Sequence, residues 1–236
     1  MGKTKNKLRH IAVILDGNGR WAERHGVARA DGHLEGARRV VDFIRDIDEL
    51  DIEYATLYAF STENWKRSEE EVGALMRLLC RFLDENLDVM LKNGIRLLTI
   101  GDISALPEEC VERLKRVKEL TGTSYRRTLI LALNYGGRQE IVRAARRLAQ
   151  EAKDGLLDPD GITEDVVSNA LDTAGVPDPD LLIRTSGEQR LSNFLLWQLS
   201  YSEFYFTETL WPDFDRAQLD KAIDAYYGRN RRFGGR

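Results

Sequence analysis

An apolar run that ends in a glycine-rich turn is the feature that most constrains this chain. Residues 11–15 read Ile-Ala-Val-Ile-Leu, the length of a buried strand, and residues 16–20 read Asp-Gly-Asn-Gly-Arg. Glycine adopts positive φ and lets backbone N–H groups approach an anion, and arginine offers a forked donor for phosphate oxygens. Asp16 fits beside an anion if a divalent cation lies between them, or if it contacts another part of the ligand. The simpler alternative is a strand ending in a tight turn that Asp16 caps.

Two common nucleotide-binding motifs do not explain this turn. Gly17, Gly19 and Ala22 match the spacing of the dinucleotide fingerprint, but that fingerprint needs a helix beginning at the glycines and an acidic residue closing the second strand. We predict a polar connection over residues 23–32 instead, and the second strand ends in Tyr58-Ala59-Phe60. The G-x-x-x-x-G-K-S/T sequence of a P-loop is also absent.

Strands and helices alternate along the rest of the chain. The pattern predicts strands near residues 9–15, 53–60, 95–100, 128–133 and 181–184, and helices from about residues 34, 68, 107, 137, 163 and 215. In the helix that follows the fourth strand, we expect Ile141, Val142, Ala145 and Leu148 to face the core. This order predicts a single α/β domain over residues 1–236, with a mostly parallel sheet of about six strands and helices on both faces.

The helix that starts at Ser68 carries more apolar residues than one buried face requires. Ser68-Glu69-Glu70-Glu71 is typical of a capping box, and residues 72–91 place apolar side chains on more than one stripe. Such a helix is packed on two sides, which is the commoner case, or is packed on one side and lines an apolar cavity on the other. Ala59 and Ile95 are the strand positions expected to face that cavity.

Composition limits the class of protein. The net charge of −4 argues against nucleic acid as a partner, whereas arginines in Gly-, Ser- and Asn-rich loops favour a small anionic ligand. Two cysteines within helical patterns predict a reducing, cytoplasmic location without a disulfide framework. No run approaches the roughly 20 apolar residues of a membrane span. Residues 1–8 are expected to form a flexible basic N-terminus.

Four polar segments resemble the motifs of cis-prenyltransferases, most closely those of bacterial undecaprenyl diphosphate synthases. They are residues 14–21, 58–65, 134–138 and 184–194, and the resemblance runs from His10 to Gly235. It implies a Mg²⁺-dependent homodimer with a hydrophobic product tunnel. Such an enzyme condenses isopentenyl diphosphate repeatedly onto an allylic diphosphate, usually farnesyl diphosphate. The expected product is undecaprenyl diphosphate, a cell-wall lipid carrier delivered to the inner face of the membrane.

The resemblance also implies roles for individual residues. Asp16 corresponds to the catalytic acid and a Mg²⁺ ligand, and Glu203 to the second metal ligand. Asn64 corresponds to the family's proton acceptor, although a neutral amide is a very poor base, so we expect it to orient the substrate. The substrate contacts carried over are Gly17, Asn18, Gly19, Arg20, Trp21, Arg29, His33, Ser61, Thr62, Glu63, Trp65, Arg67, Arg184, Arg190, Leu191, Ser192, Arg232 and Gly234. Arg232 and Gly234 belong to a tail motif within residues 229–236 that completes the partner subunit's site.

Two positions depart from the family pattern. Arg127 stands where relatives commonly carry Leu near the tunnel end, and we expect it at the tunnel mouth with its charged head in water. Ser186 stands where some relatives have Gly. The competing interpretations are a non-catalytic subunit of a cis-prenyltransferase complex and, without the resemblance, a Mg²⁺-dependent phosphate-ester hydrolase that uses Asp16.

Overall fold

A computed structural model describes residues 7–229 of the chain. Within that range the strands are β1 (His10–Ile14), β2 (Tyr54–Ser61), β3 (Ile95–Ile100), β4 (Arg127–Tyr135), β5 (Leu181–Arg184) and β6 (Glu203–Phe206). The α-helices are α1 (Asn18–His25), α2 (Arg29–Glu49), α3 (Glu69–Lys92), α4 (Glu108–Thr121), α5 (Gly137–Lys153), α6 (Glu164–Ala170) and α7 (Arg216–Gly228).

The six strands form one parallel sheet in the order β3-β4-β2-β1-β5-β6. β1 lies inside the sheet between β2 and β5, and all five of its residues are buried. Its side chains alternate between two apolar clusters, because successive residues of a strand point to opposite faces. Ile11 and Val13 join one cluster and Ala12 and Ile14 the other. The predicted α/β class and strand number are therefore confirmed.

The connection after β1 differs from the prediction. A helix, α1, begins directly at the glycine turn, and α2 begins at Arg29 rather than near Leu34. α1 buries only Ala22, so its sequence shows no apolar period that would reveal a helix. It is held instead by close approach to α2. A Cβ on Gly32 would lie 2.2 Å from the Asn18 carbonyl oxygen, and one on Gly36 would lie 2.5 Å from Asn18 Oδ1.

The inward face of α5 is also not the predicted one. Ile141 and Val142 are exposed, whereas Glu140, Ala144 and Leu148 are buried. The buried Glu140 carboxylate accepts hydrogen bonds from Tyr135 Oη at 2.5 Å and from the backbone N–H of Asp172 at 3.0 Å. Those bonds turn a polar residue inward and rotate Ile141 and Val142 to the surface.

Arg127, the first residue of β4, lies away from water, contrary to the prediction. Its side chain is 12 % exposed, with Nε 3.3 Å from Asp48 Oδ1 and Nη2 2.7 Å from Asp51 Oδ1. Both aspartates lie at or just beyond the end of α2. The guanidinium is thus paired at the amino-terminal end of the sheet.

The chain termini are only partly described. Lys7 pairs with Asp51, and Leu8 is 3 % exposed within the core, so the expected flexible N-terminus does not extend to Leu8. Arg232 and Gly234 of the predicted tail motif lie outside the described residues. No helix within residues 7–229 is long and apolar enough to cross a membrane.

Candidate active site

Asp16 lies at the carboxyl end of β1, between the loops that follow β2 and β5. Its backbone is held by residues from the far end of the chain: its N–H donates to Thr185 Oγ1 at 3.0 Å, and its carbonyl accepts from the Thr185 hydroxyl at 2.6 Å and from Trp211 N at 3.0 Å. The fully buried Trp211 also donates from Nε1 to the Gly36 carbonyl. The Asp16 backbone is therefore fixed by the segments that contain Thr185 and Trp211, and α2 holds Trp211 in turn.

Two arginines flank the Asp16 carboxylate. Arg184 is 4 % exposed, and its Nη2 donates to Asp16 Oδ2 at 3.0 Å while Nη1 donates to Ser192 Oγ at 2.7 Å. Arg20 Nη2 lies 3.6 Å from Asp16 Oδ1, and Arg20 Nη1 donates to the Ser186 carbonyl at 2.8 Å. The Asp16 carboxylate therefore lies between two cationic side chains.

The glycine turn leads into α1 as an anion-binding element. Gly17 has a φ of 111°, and a Cβ there would also lie 2.9 Å from Leu210 Cδ2. The first helical hydrogen bond of α1 is donated by the Trp21 N–H to the Gly17 carbonyl. The N–H groups of residues 18–20 therefore have no partner within the helix, as expected for a first helical turn. Trp21 Nε1 is bound to Asp213 at 2.7 Å.

The loop after β2 forms a short 3₁₀ helix, Thr62–Lys66, capped by Asn64. Asn64 Oδ1 accepts from Ser61 N–H at 2.9 Å, so that oxygen is engaged by the backbone. Glu63 Oε1 accepts from Asn193 Nδ2 at 3.1 Å, which ties this loop to the one after β5. Trp65 packs edge-on against Phe60 and donates from Nε1 to Asn134 Oδ1.

The loop after β5 is held in an unusual backbone conformation. Ser186, Ser192, Asn193 and Leu195 all have positive φ, between 45° and 75°. Such a conformation persists in non-glycine residues only where the surroundings fix it. Here Arg184 donates to the Arg190 carbonyl and to Ser192 Oγ. The φ of 75° at Ser186 explains why glycine also suits that position.

Arg190 and Leu191 lie at the outer part of this loop. The Arg190 guanidinium is bound to Glu188, and its side chain is 62 % exposed. Leu191 is partly buried against the cluster that contains Phe194. Arg190 is therefore free to turn towards a ligand at the mouth of the site at little cost in stability.

Three cationic or basic side chains converge on Glu71, in the first turn of α3. Arg67 Nη1 lies 2.7 Å from Glu71 Oε1, Arg29 Nε 3.1 Å and His33 Nε2 3.6 Å. Ser68 Oγ accepts a hydrogen bond from the Glu71 N–H, as the predicted cap requires. The Glu71 carboxylate itself contacts the three side chains of this cluster. Burial opposes ionisation, yet Arg67 and Arg29 hold the pKa of Glu71 below its usual value. Burial, together with Arg67, lowers the pKa of His33.

A cavity of about 300 Å³ connects these loops to the interior. Its polar end is lined by predicted site residues, namely Asp16, Asn18, His33, Ser61, Asn64, Arg67, Arg184 and Ser192. Its apolar end lies between the sheet and helices α2 and α3, and it is lined by residues that include Val40, Leu57, Leu75, Met76, Leu79, Phe82 and Leu131. Part of the apolar surplus of α3 therefore lines a cavity, which was the less common of the two alternatives, whereas Val89 and Leu91 are exposed. Ala59 lines it as predicted, whereas Ile95 packs in the core.

The predicted metal pair is not brought together within one chain. Glu203 begins β6 opposite Leu181, which pairs with Ile11, whereas Asp16 lies beyond the other end of β1. At about 3.3 Å per residue, the two lie about 15 Å apart along the strands. Glu203 Oε2 instead accepts from Arg229 Nη1 at 2.7 Å. Within one subunit, Asp16 and Glu203 are therefore too far apart to bind the same ion.

Thr185 and Glu71 belong to the site but were not among the residues predicted for it. Thr185, which holds the Asp16 backbone, follows β5 directly, and its place at a strand end was a usable signal. Glu71 could not be found in the same way, because its partners Arg29 and His33 lie about 40 positions earlier in the chain. The sequence favoured the local capping role instead.

The structure combines a parallel sheet with a site of arginines and a glycine turn at one end of an apolar cavity. These features define a protein that binds phosphate esters with a charged head and an apolar tail. The chain belongs to the undecaprenyl diphosphate synthase family: the family model described as "Putative undecaprenyl diphosphate synthase" matches residues 14–234. Isoprenyl transferases of Clostridium perfringens and Porphyromonas gingivalis are 50 % and 51 % identical, each over 96 % of this chain and 90 % and 89 % of their own length. The chain is accordingly a prenyltransferase.

Solved structures agree with this assignment. Lavandulyl diphosphate synthase from Lavandula x intermedia, in complex with dimethylallyl diphosphate, superposes with a TM-score of 0.94 at 41 % identity over 96 % of this chain and 98 % of that chain. "A probable undecaprenyl diphosphate synthase" from Campylobacter jejuni gives a TM-score of 0.81 at 36 % identity, over 98 % and 100 %. The cis-prenyltransferase fold expected from the sequence is confirmed.

Proposed function

We propose that this prenyltransferase condenses isopentenyl diphosphate repeatedly onto an allylic diphosphate, farnesyl diphosphate by preference, to make a long Z-polyprenyl diphosphate. The observation that carries the proposal is the two-part cavity, with arginines and free N–H groups at one end and α3 side chains at the other. That division matches a ligand with a charged diphosphate head and a hydrocarbon tail. The final product is undecaprenyl diphosphate, used as a cell-wall lipid carrier.

Asp16 is a protein ligand for Mg²⁺. Residues 7–229 contain no cluster of three His, Cys, Asp or Glu side chains that would hold an ion by themselves. Mg²⁺ usually needs only one or two carboxylates, with substrate phosphates and water completing its shell. Asp16, partly exposed at the mouth of the cavity, fits that requirement. The ion, when bound, neutralises charge on the diphosphate.

The residues around Asp16 stabilise the departing diphosphate of the allylic substrate. Breaking the allylic C–O bond leaves negative charge on diphosphate, and prearranged donors lower the barrier to that separation. The N–H groups of residues 18–20 and the Arg20 guanidinium are such donors, with Arg29, His33 and Arg67 on the opposite side. Asn64 orients the substrate through its amide nitrogen, since its oxygen caps the turn.

The isopentenyl diphosphate site lies over the loop after β5. Arg190 and Ser192 bind its diphosphate, and Arg184 links that loop to Asp16. Ser61, Thr62, Glu63, Trp65 and Leu191 complete the surface between the two diphosphates. The two substrates therefore meet at Asp16, where both loops converge.

The active form is a homodimer. β6 is an edge strand of the sheet with partly exposed aromatic residues, and Tyr201 beside it is 75 % exposed. Arg229 binds this edge through Glu203 and the Phe204 carbonyl, so the described part of the chain ends there. A second subunit at β6 would receive the tail residues Arg232 and Gly234. The enzyme acts in the cytoplasm and delivers its product to the inner face of the membrane.

A single incubation tests this function. The purified protein is mixed with farnesyl diphosphate, radiolabelled isopentenyl diphosphate and Mg²⁺, and the products are separated by chain length. We expect a long polyprenyl product that a chelator abolishes. Release of phosphate without condensation would instead identify a hydrolase, and no reaction at all would identify a non-catalytic subunit.

The dimer is tested by subunit mixing. Arg232→Ala and Asp16→Ala chains are co-expressed with different tags, and heterodimers are isolated by both tags. If the tail serves the neighbouring site, the heterodimer has one intact site and recovers activity over either parent. Heterodimers as inactive as both parents would refute this arrangement.

A further inference from the structure

Glu71 occupies donors that the proposed function assigns to the allylic diphosphate. Its Oε1 atom is the meeting point of Arg67 Nη1 at 2.7 Å and Arg29 Nε at 3.1 Å. Arg67 and His33 both line the catalytic cavity. Arg29 lies against the glycine turn, since a Cβ on Gly19 would be 3.4 Å from the centre of its guanidinium. One carboxylate oxygen thus holds both arginines that the proposed function places on one side of the diphosphate.

We propose that Glu71 is an internal counter-ion: it neutralises Arg29 and Arg67 in the free enzyme and is displaced when a diphosphate binds. This inference rests on the proposed function, because it concerns the same diphosphate site. A carboxylate and a phosphate oxygen accept the same hydrogen bonds from guanidinium groups. Both acceptors carry negative charge, so they repel each other and compete for those donors.

The geometry makes the displacement inexpensive. The Arg29 side chain is 61 % exposed, so it can turn without losing buried packing. The Arg67 side chain is 32 % exposed and already lines the catalytic cavity, so it can bind a diphosphate there without leaving its place. Glu71 lies in the first turn of α3, and beside it a groove of about 530 Å³ opens between the start of α2 and the start of α3. Glu71 itself lines that groove, which gives its side chain room to leave the arginines.

The consequence is faster release of inorganic diphosphate, the by-product of every condensation. A site with two uncompensated guanidinium groups would hold that anion tightly and slow the next addition. When inorganic diphosphate leaves, the Glu71 carboxylate binds Arg29 and Arg67 again and neutralises their charge. The enzyme gives up some affinity for its substrate and gains turnover.

The test measures the binding of inorganic diphosphate to the full-length protein by calorimetry. Glu71→Gln removes the competing charge but keeps the side chain's size, and we expect the dissociation constant to fall about tenfold, the equivalent of one charge pair roughly 6 Å apart at an effective dielectric of about 40. Glu69→Gln is the matched control, because Glu69 is exposed in the same turn and forms no ion pair within residues 7–229. It should change the constant by less than twofold.

Two further measurements complete the test. Glu71→Asp keeps the negative charge but moves it back by one methylene. Its affinity for inorganic diphosphate should therefore lie between those of the wild type and Glu71→Gln. This variant also provides the test if Glu71→Gln does not fold. In steady state, Glu71→Gln should show a lower KM for the allylic substrate, a lower kcat and stronger inhibition by diphosphate. Unchanged or weaker binding by the folded variants would overturn the proposal, since Glu71 would then be holding the arginines in place for the ligand. If neither wild type nor variants bind diphosphate, the proposed function fails as well.

Discussion

Replacing Arg127 by Ala should destabilise the fold by about 2 kcal/mol and leave product length unchanged. The side chain is only 12 % exposed, and its guanidinium is within 3.3 Å of Asp48 Oδ1 and 3.4 Å of the Asp48 carbonyl. The 3.3 Å contact is an ion pair without a hydrogen bond, and its loss leaves the buried Asp48 Oδ1 without a charged partner. Leaving a buried polar group unsatisfied typically costs about 1–3 kcal/mol, and the aliphatic stem of Arg127 loses its packing too. Asp51 is 65 % exposed and keeps Lys7 as a partner, so we assign no energy to that pair.

The measurement is thermal and urea-induced unfolding of both proteins under identical conditions. For a chain of this size, about 2 kcal/mol corresponds to a fall in Tm of roughly 4–8 °C. Arg126→Ala is the matched control: that side chain is 65 % exposed and 3.8 Å from Asp48, so its removal should cost less than about 0.5 kcal/mol. Equal effects of the two substitutions would refute the assigned burial and pairing. A shift in product length would show that the side chain reaches the growing product.

Three further predictions follow from the site and the core. Asp16→Ala should reduce condensation at least ~10²-fold while the variant still binds farnesyl diphosphate, and a rate above a tenth of the wild type would contradict the role of Asp16. Gly32→Ala should lower both Tm and kcat/KM because its Cβ would meet the Asn18 carbonyl at 2.2 Å, whereas Gly228→Ala, with open space around it, should be tolerated. Burial lowers the pKa of His10 to about 4, so the unfolded state takes up a proton below about pH 6.5 that the fold excludes. The free energy of unfolding should therefore fall by up to about 3 kcal/mol between pH 7 and pH 4 through this residue, and His10→Gln should show a correspondingly shallower pH dependence in urea titrations.

The sequence predicted the sheet and several element ends closely, because those features are local. The apolar runs of β3 and β5 gave Ile95–Ile100 and Leu181–Arg184, the bounds that the structure has. Ser68 marked the start of α3 correctly, since a cap acts within one turn of the helix.

Features that depend on distant partners were not predictable in the same way. The buried position of Arg127 is set by its ion pairs with Asp48 and Asp51. The wrong face of α5 was predicted because the buried Glu140 carboxylate accepts hydrogen bonds from three distant groups, on Tyr135, Asp172 and Gln198. Glu203 was assigned to the metal by family resemblance, and the strand register places it at the other end of the sheet from Asp16 within one subunit. The errors at Arg127 and on α5 both concern a charged side chain whose partner is fixed by tertiary structure.

The hydrogen bonds that hold the Asp16 loop also have a consequence for biosynthesis. Thr185 follows Asp16 by 169 positions, so at about 5–20 residues per second the ribosome needs on the order of ten to thirty seconds to supply it. During that interval β1 lacks β5, its neighbour on one side, and its apolar edge is open to pairing with other chains. A nascent chain of this protein is therefore most vulnerable to aggregation between the synthesis of β4 and β5, and a product truncated before residue 181 would keep that open edge permanently.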